Sequence, residues 1–173
     1  MVWYLIVAAG VILDQLTKLA AQHLKPDGVV TVIPGFLYFI YRVNTGAAWS
    51  FLAEHAWGIY ALAALSAVAS LLFLYLLSRA AETGVKLALS LITAGTIGNM
   101  IDRVWRGGVI DFVDTHFGSY QFPTFNAADS LLVVGTVILL ILVMAKPHAQ
   151  LFKPGRAAAA KHPATEGDEQ DHA

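Results

Sequence analysis

The pattern of apolar and polar positions divides the chain into four long apolar stretches joined by shorter mixed segments. The stretches are approximately residues 2–24, 57–77, 85–104 and 128–145. A helix needs about 20 mostly apolar residues to cross a bilayer, and each stretch is close to that length. The pattern therefore predicts an α-helical membrane bundle of four transmembrane helices, with both termini of the chain on one side of the membrane.

The segments that follow the first and third stretches do not have the pattern of ordinary connectors. Residues 29–43 contain β-branched and aromatic runs on either side of a Pro-Gly turn, which is typical of strands. Residues 106–126 carry Gly107-Gly108 and several aromatic side chains, which favour the membrane–water interface. We therefore expect a small β-rich cradle on the extracytoplasmic side of the bundle.

Composition supports a membrane protein and excludes several other classes. Hydrophobic residues make up 57% of the chain and charged residues 13%, against roughly 25% charged residues in soluble domains. The net charge of -1 gives no basic field for nucleic acid. The chain has no cysteine and its six histidines are scattered, so neither a metal nor any other cofactor is predicted. We expect residues 1–150 to form one membrane domain and the polar residues 151–173 to be a disordered tail.

Basic residues indicate the orientation of the bundle. The short loop between the second and third stretches and the C-terminal tail carry Arg79, Lys86, Lys146, Lys153, Arg156 and Lys161. The opposite side carries fewer basic residues: Lys25, Arg42 and Arg106. Under the positive-inside rule, both termini and the tail are expected to be cytoplasmic.

Ionisable residues inside the first apolar stretch need an explanation, because a charge at membrane depth costs about 2.5–3.5 kcal/mol. Asp14 and Lys18 are four residues apart and share one helix face. One interpretation is a structural ion pair that ties this helix to its neighbours. The alternative is a proton or ion relay.

The third stretch ends in three polar residues within one turn, Asn99, Asp102 and Arg103. Ser90, Ala94 and Gly98 precede them at four-residue spacing, and such small residues let a second helix approach closely. Packing accounts for the small residues but not for three polar groups in one turn. A site at the outer end of this helix is therefore expected.

Two further carboxylates, Asp111 and Asp129, reach the same region from opposite ends of one loop. Individually, Asp111 reads as a turn residue, and Asp129 as a first-turn acid behind an Asn126 N-cap. Together they suggest a carboxylate pair that shares one proton, with one acting as general base and the other as general acid. This aspartic-peptidase chemistry needs no metal or cofactor, and the chain lacks the HExxH and Gly-x-Ser-x-Gly motifs of other hydrolases.

Two other classes of function compete with a peptidase on these residues alone. A small proton- or ion-coupled transporter would use Asp14, Lys18 and Asp102 as its relay near the bilayer midplane. A non-catalytic lipid-binding or scaffold protein would bring Asp111 near Asp129 only by accident.

Four segments, in order along the chain, resemble the motif series of bacterial lipoprotein signal peptidase, also called signal peptidase II. They are DQLTK (14–18), NTGAAW (44–49), GNMIDRVWRGGVIDFVD (98–114) and FNAADS (125–130). The ordered set extends from the first to the fourth apolar stretch. One position departs from the family pattern, since Trp49 stands where the family usually has Phe after NTGAA.

The resemblance implies an inner-membrane aspartic endopeptidase that removes signal peptides from diacylglyceryl-modified prolipoproteins, cutting before the lipidated cysteine. Its catalytic residues would be Asp111 and Asp129. It also implies membrane lipids as surroundings, sensitivity to globomycin, and a monomer with its active site near the outer surface. The positions that match the family's supporting residues are Asn44, Gly46, Asn99, Arg103 and Asn126 near the substrate, with Asp14, Lys18 and Asp102 as structural polar groups.

Overall fold

A computed structural model describes residues 1–24, 28–46, 57–145, 151 and 152. Four long helices occupy most of this part of the chain, and each is long and apolar enough to cross a membrane. Their bounds lie close to the four predicted stretches, and the fold class expected from the sequence is confirmed. The helices are α1 (Val2–Gln22), α2 (Gly58–Arg79), α3 (Thr83–Arg106) and α4 (Ala127–Ala145).

Helix α3 lies at the centre of the bundle and packs against the other three helices. In its most apolar window 61% of the residues are buried, against at most 22% in any of the other helices. The remaining helices expose apolar side chains along much of their length, as expected where the surroundings are lipid. Helix α3 therefore offers the most positions at which other helices shield a polar side chain.

Small residues allow α1 and α4 to approach α3 closely. A Cβ on Gly10 would lie 2.7 Å from Ala94 Cβ, and a Cβ on Gly98 would lie 2.5 Å from Asp14 Oδ2. Ser90 and Ala94 are fully buried. The predicted small-residue ridge on α3 is confirmed as a helix-packing surface, and α1 crosses it with Asp14 directly over Gly98.

The two segments that follow α1 and α3 form one antiparallel sheet in chain order. Its strands are β1 (Val30–Ile33), β2 (Leu37–Asn44), β3 (Val109–Phe117) and β4 (Tyr120–Gln121). Strands β1 and β2 agree with the hairpin predicted around the Pro-Gly turn, where Gly35 has a φ of 76°. The β-rich cradle is thus confirmed, and strand β3 extends it into the second segment.

The turn between α3 and β3 places Asp111 beside the bundle. Helix α3 ends at Arg106 and is capped by Gly107, whose φ of 69° is left-handed and favours glycine. Strand β3 then pairs with β2 so that Asp111 lies opposite Arg42 and Val109 opposite Asn44. Asp111 is therefore a strand residue, and the interpretation of it as a turn residue is wrong.

At the end of the bundle opposite the sheet, the backbone between α2 and α3 pairs with residues that follow α4. The N–H of Ala81, between α2 and α3, donates to the carbonyl oxygen of Leu151 at 2.9 Å, and Ala80 bridges to Phe152. These two residues begin the predicted tail. Residues 153–173 lie outside the described part of the chain.

Candidate active site

Asp111 of β3 and Asp129 of α4 line the same cavity, at the junction of the sheet with α3 and α4. Its volume is about 720 Å³. All five residues predicted to support this site also lie at it, four in the cavity lining and Asn126 through hydrogen bonds. The lining consists of Asn44, Gly46, Asn99, Arg103, Val109, Asp111, Phe122, Pro123, Thr124, Phe125, Asp129, Ser130, Val133 and Val134.

Asp111 accepts one hydrogen bond on each carboxylate oxygen. Asn126 Nδ2 donates to Oδ1 at 2.7 Å, and Asn44 Nδ2 donates to Oδ2 at 3.2 Å. Asn44 is held in turn, because its Oδ1 accepts the backbone N–H of Gly46 at 3.0 Å. This bond explains how the start of the NTGAA segment supports the site. Ala47, Ala48 and Trp49 lie outside the described residues.

Asp129 also accepts one hydrogen bond on each oxygen. Asn99 Nδ2 donates to Oδ1 at 2.8 Å, and the backbone N–H of Asn126 donates to Oδ2 at 3.2 Å. Asn126 Oδ1 accepts the backbone N–H of Asp129 at 2.9 Å, which completes a reciprocal helix cap. The predicted cap is therefore present, and the same geometry holds the Asp129 carboxylate at the cavity.

These contacts determine what the carboxylate pair can do chemically. All four oxygens are oriented by N–H donors, yet an ionised carboxylate offers about four acceptor sites. Each oxygen therefore retains capacity for a water or a shared proton. Two carboxylates in that state can act as a base toward a water and as an acid toward a leaving group.

Burial raises the pKa of Asp111 to about 6, and the charge of Asp129 acts in the same direction. The hydrogen bonds from Asn44 and Asn126 and the charge of Lys18 oppose this rise. A carboxyl group with such a pKa exchanges its proton near neutral pH, as a general acid or base must.

Arg103 places a positive charge at the cavity, and within the described ranges it forms no salt bridge. Its Nη1 donates to the carbonyl oxygen of Asn99 at 3.3 Å and to Ser66 Oγ of α2 at 3.4 Å. Its Nε is buried and has no hydrogen-bond partner among the described residues. An unpartnered buried donor is costly, so Arg103 is available to bind an acceptor oxygen of a bound molecule.

A second polar cluster lies deeper, between α1 and α3. Lys18 Nζ is 2.9 Å from Asp14 Oδ2 and 2.9 Å from Asp102 Oδ2, and all three side chains are fully buried. Asp14 Oδ1 also accepts the backbone N–H of Ala128 at 2.9 Å. The predicted Asp14–Lys18 ion pair is thus present and ties α1 to both α3 and α4.

Two residues that the sequence analysis did not single out complete the deeper cluster or support the cavity. Gln15 Nε2 donates to Asp102 at 3.2 Å and to the carbonyl oxygen of Gly98 at 3.2 Å, while its Oε1 accepts from Arg106. Ser66 contacts Arg103. Both are polar residues within apolar stretches, and that property could have marked them as candidates in the sequence.

Over the described ranges, no group of three or more His, Asp or Glu residues could hold a metal ion.

Comparison with known proteins identifies the family. Residues 6–145 match the family model described as Signal peptidase (SPase) II. A lipoprotein signal peptidase of Listeria monocytogenes is 43% identical over 147 residues, covering 83% of this chain and 93% of the Listeria protein. One of Coxiella burnetii is 39% identical over 151 residues, covering 86% and 93% respectively.

Solved structures share the fold. A chain titled "Bacterial membrane enzyme structure by the in meso method at 2.3 A resolution" is 32% identical with a TM-score of 0.75, covering 90% of this chain and 94% of that one. A second, with the same title at 1.9 Å resolution, is 34% identical with a TM-score of 0.72, covering 83% and 92%. A peptidase is therefore favoured over a transporter or a scaffold, and the chain belongs to the signal peptidase II family.

Proposed function

We propose that this protein is an aspartic endopeptidase that removes signal peptides from diacylglyceryl-modified prolipoproteins, and that Asp111 and Asp129 are its catalytic residues. The observation that carries the proposal is the carboxylate pair, held by four N–H donors at a cavity between the sheet and α4. Membership of the signal peptidase II family supplies the substrate class.

The carboxylates share one proton and position one water in the proposed reaction. The ionised carboxylate takes a proton from the water as the water attacks the scissile carbonyl, and the protonated carboxylate gives its proton to the carbonyl oxygen, which yields a tetrahedral gem-diol. On collapse, the carboxylate that took the proton from the water passes it to the leaving amine, while the other carboxylate takes a proton back from a hydroxyl of the gem-diol. Coupled groups titrate as a pair, so the resting proton belongs to the pair formed by Asp111 and Asp129.

Neutral amides and one arginine orient the reactants. Asn99, Asn126 and Asn44 hold the carboxylates. Arg103, whose buried Nε has no partner in the described part of the chain, binds a carbonyl oxygen of the substrate. Gly46 keeps Asn44 in place. The cleaved bond precedes the lipidated cysteine, which places the diacylglyceryl group on the new N-terminus.

The cavity's wall on α4 suits a substrate that stays in the bilayer. Val133 and Val134 line the cavity, and their side chains are largely exposed. Membrane lipid and the acyl chains of the substrate would lie along this face. We further propose an inner-membrane location, cytoplasmic termini and tail, an active site near the outer surface, one functional domain over residues 1–150, and a monomeric, globomycin-sensitive enzyme.

The test uses the purified full chain in lipid nanodiscs and one precursor peptide in two forms, with and without diacylglycerol on its cysteine. Mass spectrometry should find cleavage before the cysteine in the lipidated form only, and globomycin should inhibit it. Equal cleavage of both forms, or no cleavage of the lipidated form, would contradict the proposed function.

A further inference from the structure

Lys18 does more in this structure than form an ion pair. Its ammonium group, fully buried, contacts Asp14 Oδ2 and Asp102 Oδ2 at 2.9 Å each. A third contact, at 3.0 Å, goes to Oδ1 of Asn99. An ammonium has three N–H donors and no acceptor, so each donor has one partner, and the third partner is a residue of the candidate active site.

This third contact determines which way the Asn99 amide faces. The two ends of an asparagine amide have nearly the same shape, but one accepts and the other donates. An ammonium only donates, so the Oδ1 of Asn99 must face Lys18. The Nδ2 group is then directed at Asp129 Oδ1, 2.8 Å away. Rotating the amide would place donor against donor at Lys18 and oxygen against oxygen at Asp129.

The same order continues to the second carboxylate. Asn126 Nδ2 donates to Asn99 Oδ1 at 3.3 Å and to Asp111 Oδ1 at 2.7 Å. The opposite end of this amide, Oδ1, accepts the backbone N–H of Asp129. Both carboxylates are thereby given donors rather than acceptors, through amides whose orientation is consistent with the ammonium of Lys18.

Charge acts together with this geometry. The positive charge of Lys18 lowers the pKa of Asp111, against the larger effects of burial and of the Asp129 charge. Arg103 of α3 also interacts electrostatically with Asp111, and Arg42 of β2 lies opposite it in the sheet. Lys18 itself faces the carboxylates of its own helix and of α3, namely Asp14 and Asp102, the second of which also pairs with Arg106.

We propose that Lys18 is a positioning residue for hydrolysis, because its ammonium sets the orientation of the Asn99 amide and so presents a donor to Asp129. This inference rests on the proposed catalytic role of Asp111 and Asp129. Under this proposal Lys18 affects the rate of turnover, in addition to the contribution to stability expected of any buried ion pair.

Three variants separate positioning from stability. Lys18→Met removes both charge and donor, whereas Lys18→Gln removes the charge and keeps a donor for Asn99. Arg106→Gln is the matched control, because Arg106 pairs with Asp102 in the same cluster but has no contact with Asn99 among the described residues. Each is assayed for thermal unfolding, for kcat and KM on the lipidated precursor, and for the pH dependence of kcat/KM.

For Lys18→Met we expect kcat per folded molecule to fall about 10–100-fold, the scale of one hydrogen bond to a charged group, with KM nearly unchanged. The acid limb of kcat/KM should move to higher pH, since the charge that lowers the pKa of Asp111 is gone. Lys18→Gln should recover most of the kcat but keep the shifted limb. Arg106→Gln should unfold at a lower temperature and retain the wild-type kcat and limb.

If Lys18→Met does not fold, the double variant Lys18→Met/Asp102→Asn replaces it, because it removes one charge of each sign. Wild-type kcat and pH limb in the Lys18 variants, with only a lower unfolding temperature, would overturn the inference. Equal losses of kcat in Lys18→Gln and Lys18→Met would overturn the role of amide orientation. Asp111→Asn and Asp129→Asn are assayed in parallel, because turnover by these variants would instead contradict the proposed function.

Discussion

Two groups of charged residues meet near the same end of the bundle and differ in their partners. In the buried ion cluster of Asp14, Lys18, Asp102 and Arg106, carboxylates meet cations directly. In the carboxylate site of Asp111 and Asp129, hydrogen bonds come from neutral amides and a backbone N–H. A carboxylate paired with a cation strongly favours its ionised form, whereas one held by neutral donors can still exchange a proton.

The start of α4 contributes to both groups at once. Asp14 of the buried ion cluster accepts the N–H of Ala128, and the next residue, Asp129, belongs to the carboxylate site. Lys18 and Asp129 meet on opposite ends of the Asn99 amide. The two groups are thus one connected network with a closed side and a side open to the cavity.

The largest effect on the closed side should come from Asp102→Ala. The change leaves the buried Lys18 with one carboxylate instead of two, and removal of one partner from a buried ion pair costs about 3–5 kcal/mol. It also removes the acceptor for the backbone N–H of Ile110, which lies 3.0 Å from Asp102 Oδ2. Equilibrium unfolding in detergent should show a free energy of unfolding lower by about that amount.

Asp114→Asn is the control for this prediction, because Asp114 is itself buried but its partner His116 has 32% of its side chain exposed, so that water screens the pair. Surface pairs contribute about 0–1 kcal/mol. Equal destabilisation by the two variants would mean that the buried ion cluster has no special role in stability.

An intermediate effect is expected at the contact between α3 and α4 that supports both groups. A Cβ on Gly135 would lie 2.7 Å from the carbonyl oxygen of Ala88 and 3.0 Å from the backbone nitrogen of Ile92. Backbone atoms cannot move aside cheaply, so Gly135→Ala should lower the free energy of unfolding by about 1–3 kcal/mol. The pH dependence of cleavage should not change, because the site's hydrogen-bond partners stay the same.

Gly84→Ala is the matched control in the same pair of helices. Its new Cβ would lie 2.8 Å from Leu142 Cδ1, the end of a side chain that can rotate. Thermal unfolding of both variants in one detergent tests the difference. A larger loss for Gly84→Ala would contradict this view of how the two helices pack.

The smallest effect is expected on the open side, from Asn44→Ala. The Asn44 amide stabilises the ionised form of Asp111 and so lowers its pKa. Without the amide, the pKa rises above about 6, and the acid limb of kcat/KM should move up by about 0.5 pH. The rate should therefore fall more at pH 6 than at pH 8.

Gln121→Ala controls for the loss of an amide in the sheet, because Gln121 donates to Asp114 and not to Asp111. Its pH dependence should equal that of the wild type. A limb that moves to lower pH in Asn44→Ala would show that Asn44 does not stabilise ionised Asp111.

Much of the fold could be predicted because apolar stretches of about 20 residues have few alternatives in a membrane protein. The motifs also identified Asp111 and Asp129 as a pair. The strand conformation of Asp111 could not be predicted from its neighbours, because pairing with β2 depends on residues nearly 70 positions away, as the Arg42–Asp111 register shows.

A residue can have both a structural and a functional role in the folded protein, although the sequence presents the two roles as alternatives. Asp129 forms the predicted helix cap with Asn126 and also lines the cavity. The contact from Lys18 to Asn99 joins residues 81 positions apart on different helices, and no local spacing rule predicts it. Contacts between different helices therefore have to be read from the structure, because the periodicity along one helix does not show which residues of another helix it meets.

The most direct test of the central claim is single-turnover cleavage of a lipidated precursor by Asp111→Asn and Asp129→Asn, beside Asp114→Asn from the same strand as Asp111. Each amide keeps the shape of the carboxylate but cannot act as a base, so the first two variants should lose at least about 10³-fold in rate. They should still fold, as checked by thermal unfolding. Asp114→Asn should cleave at nearly the wild-type rate. Rapid cleavage by either Asp111→Asn or Asp129→Asn would contradict the account.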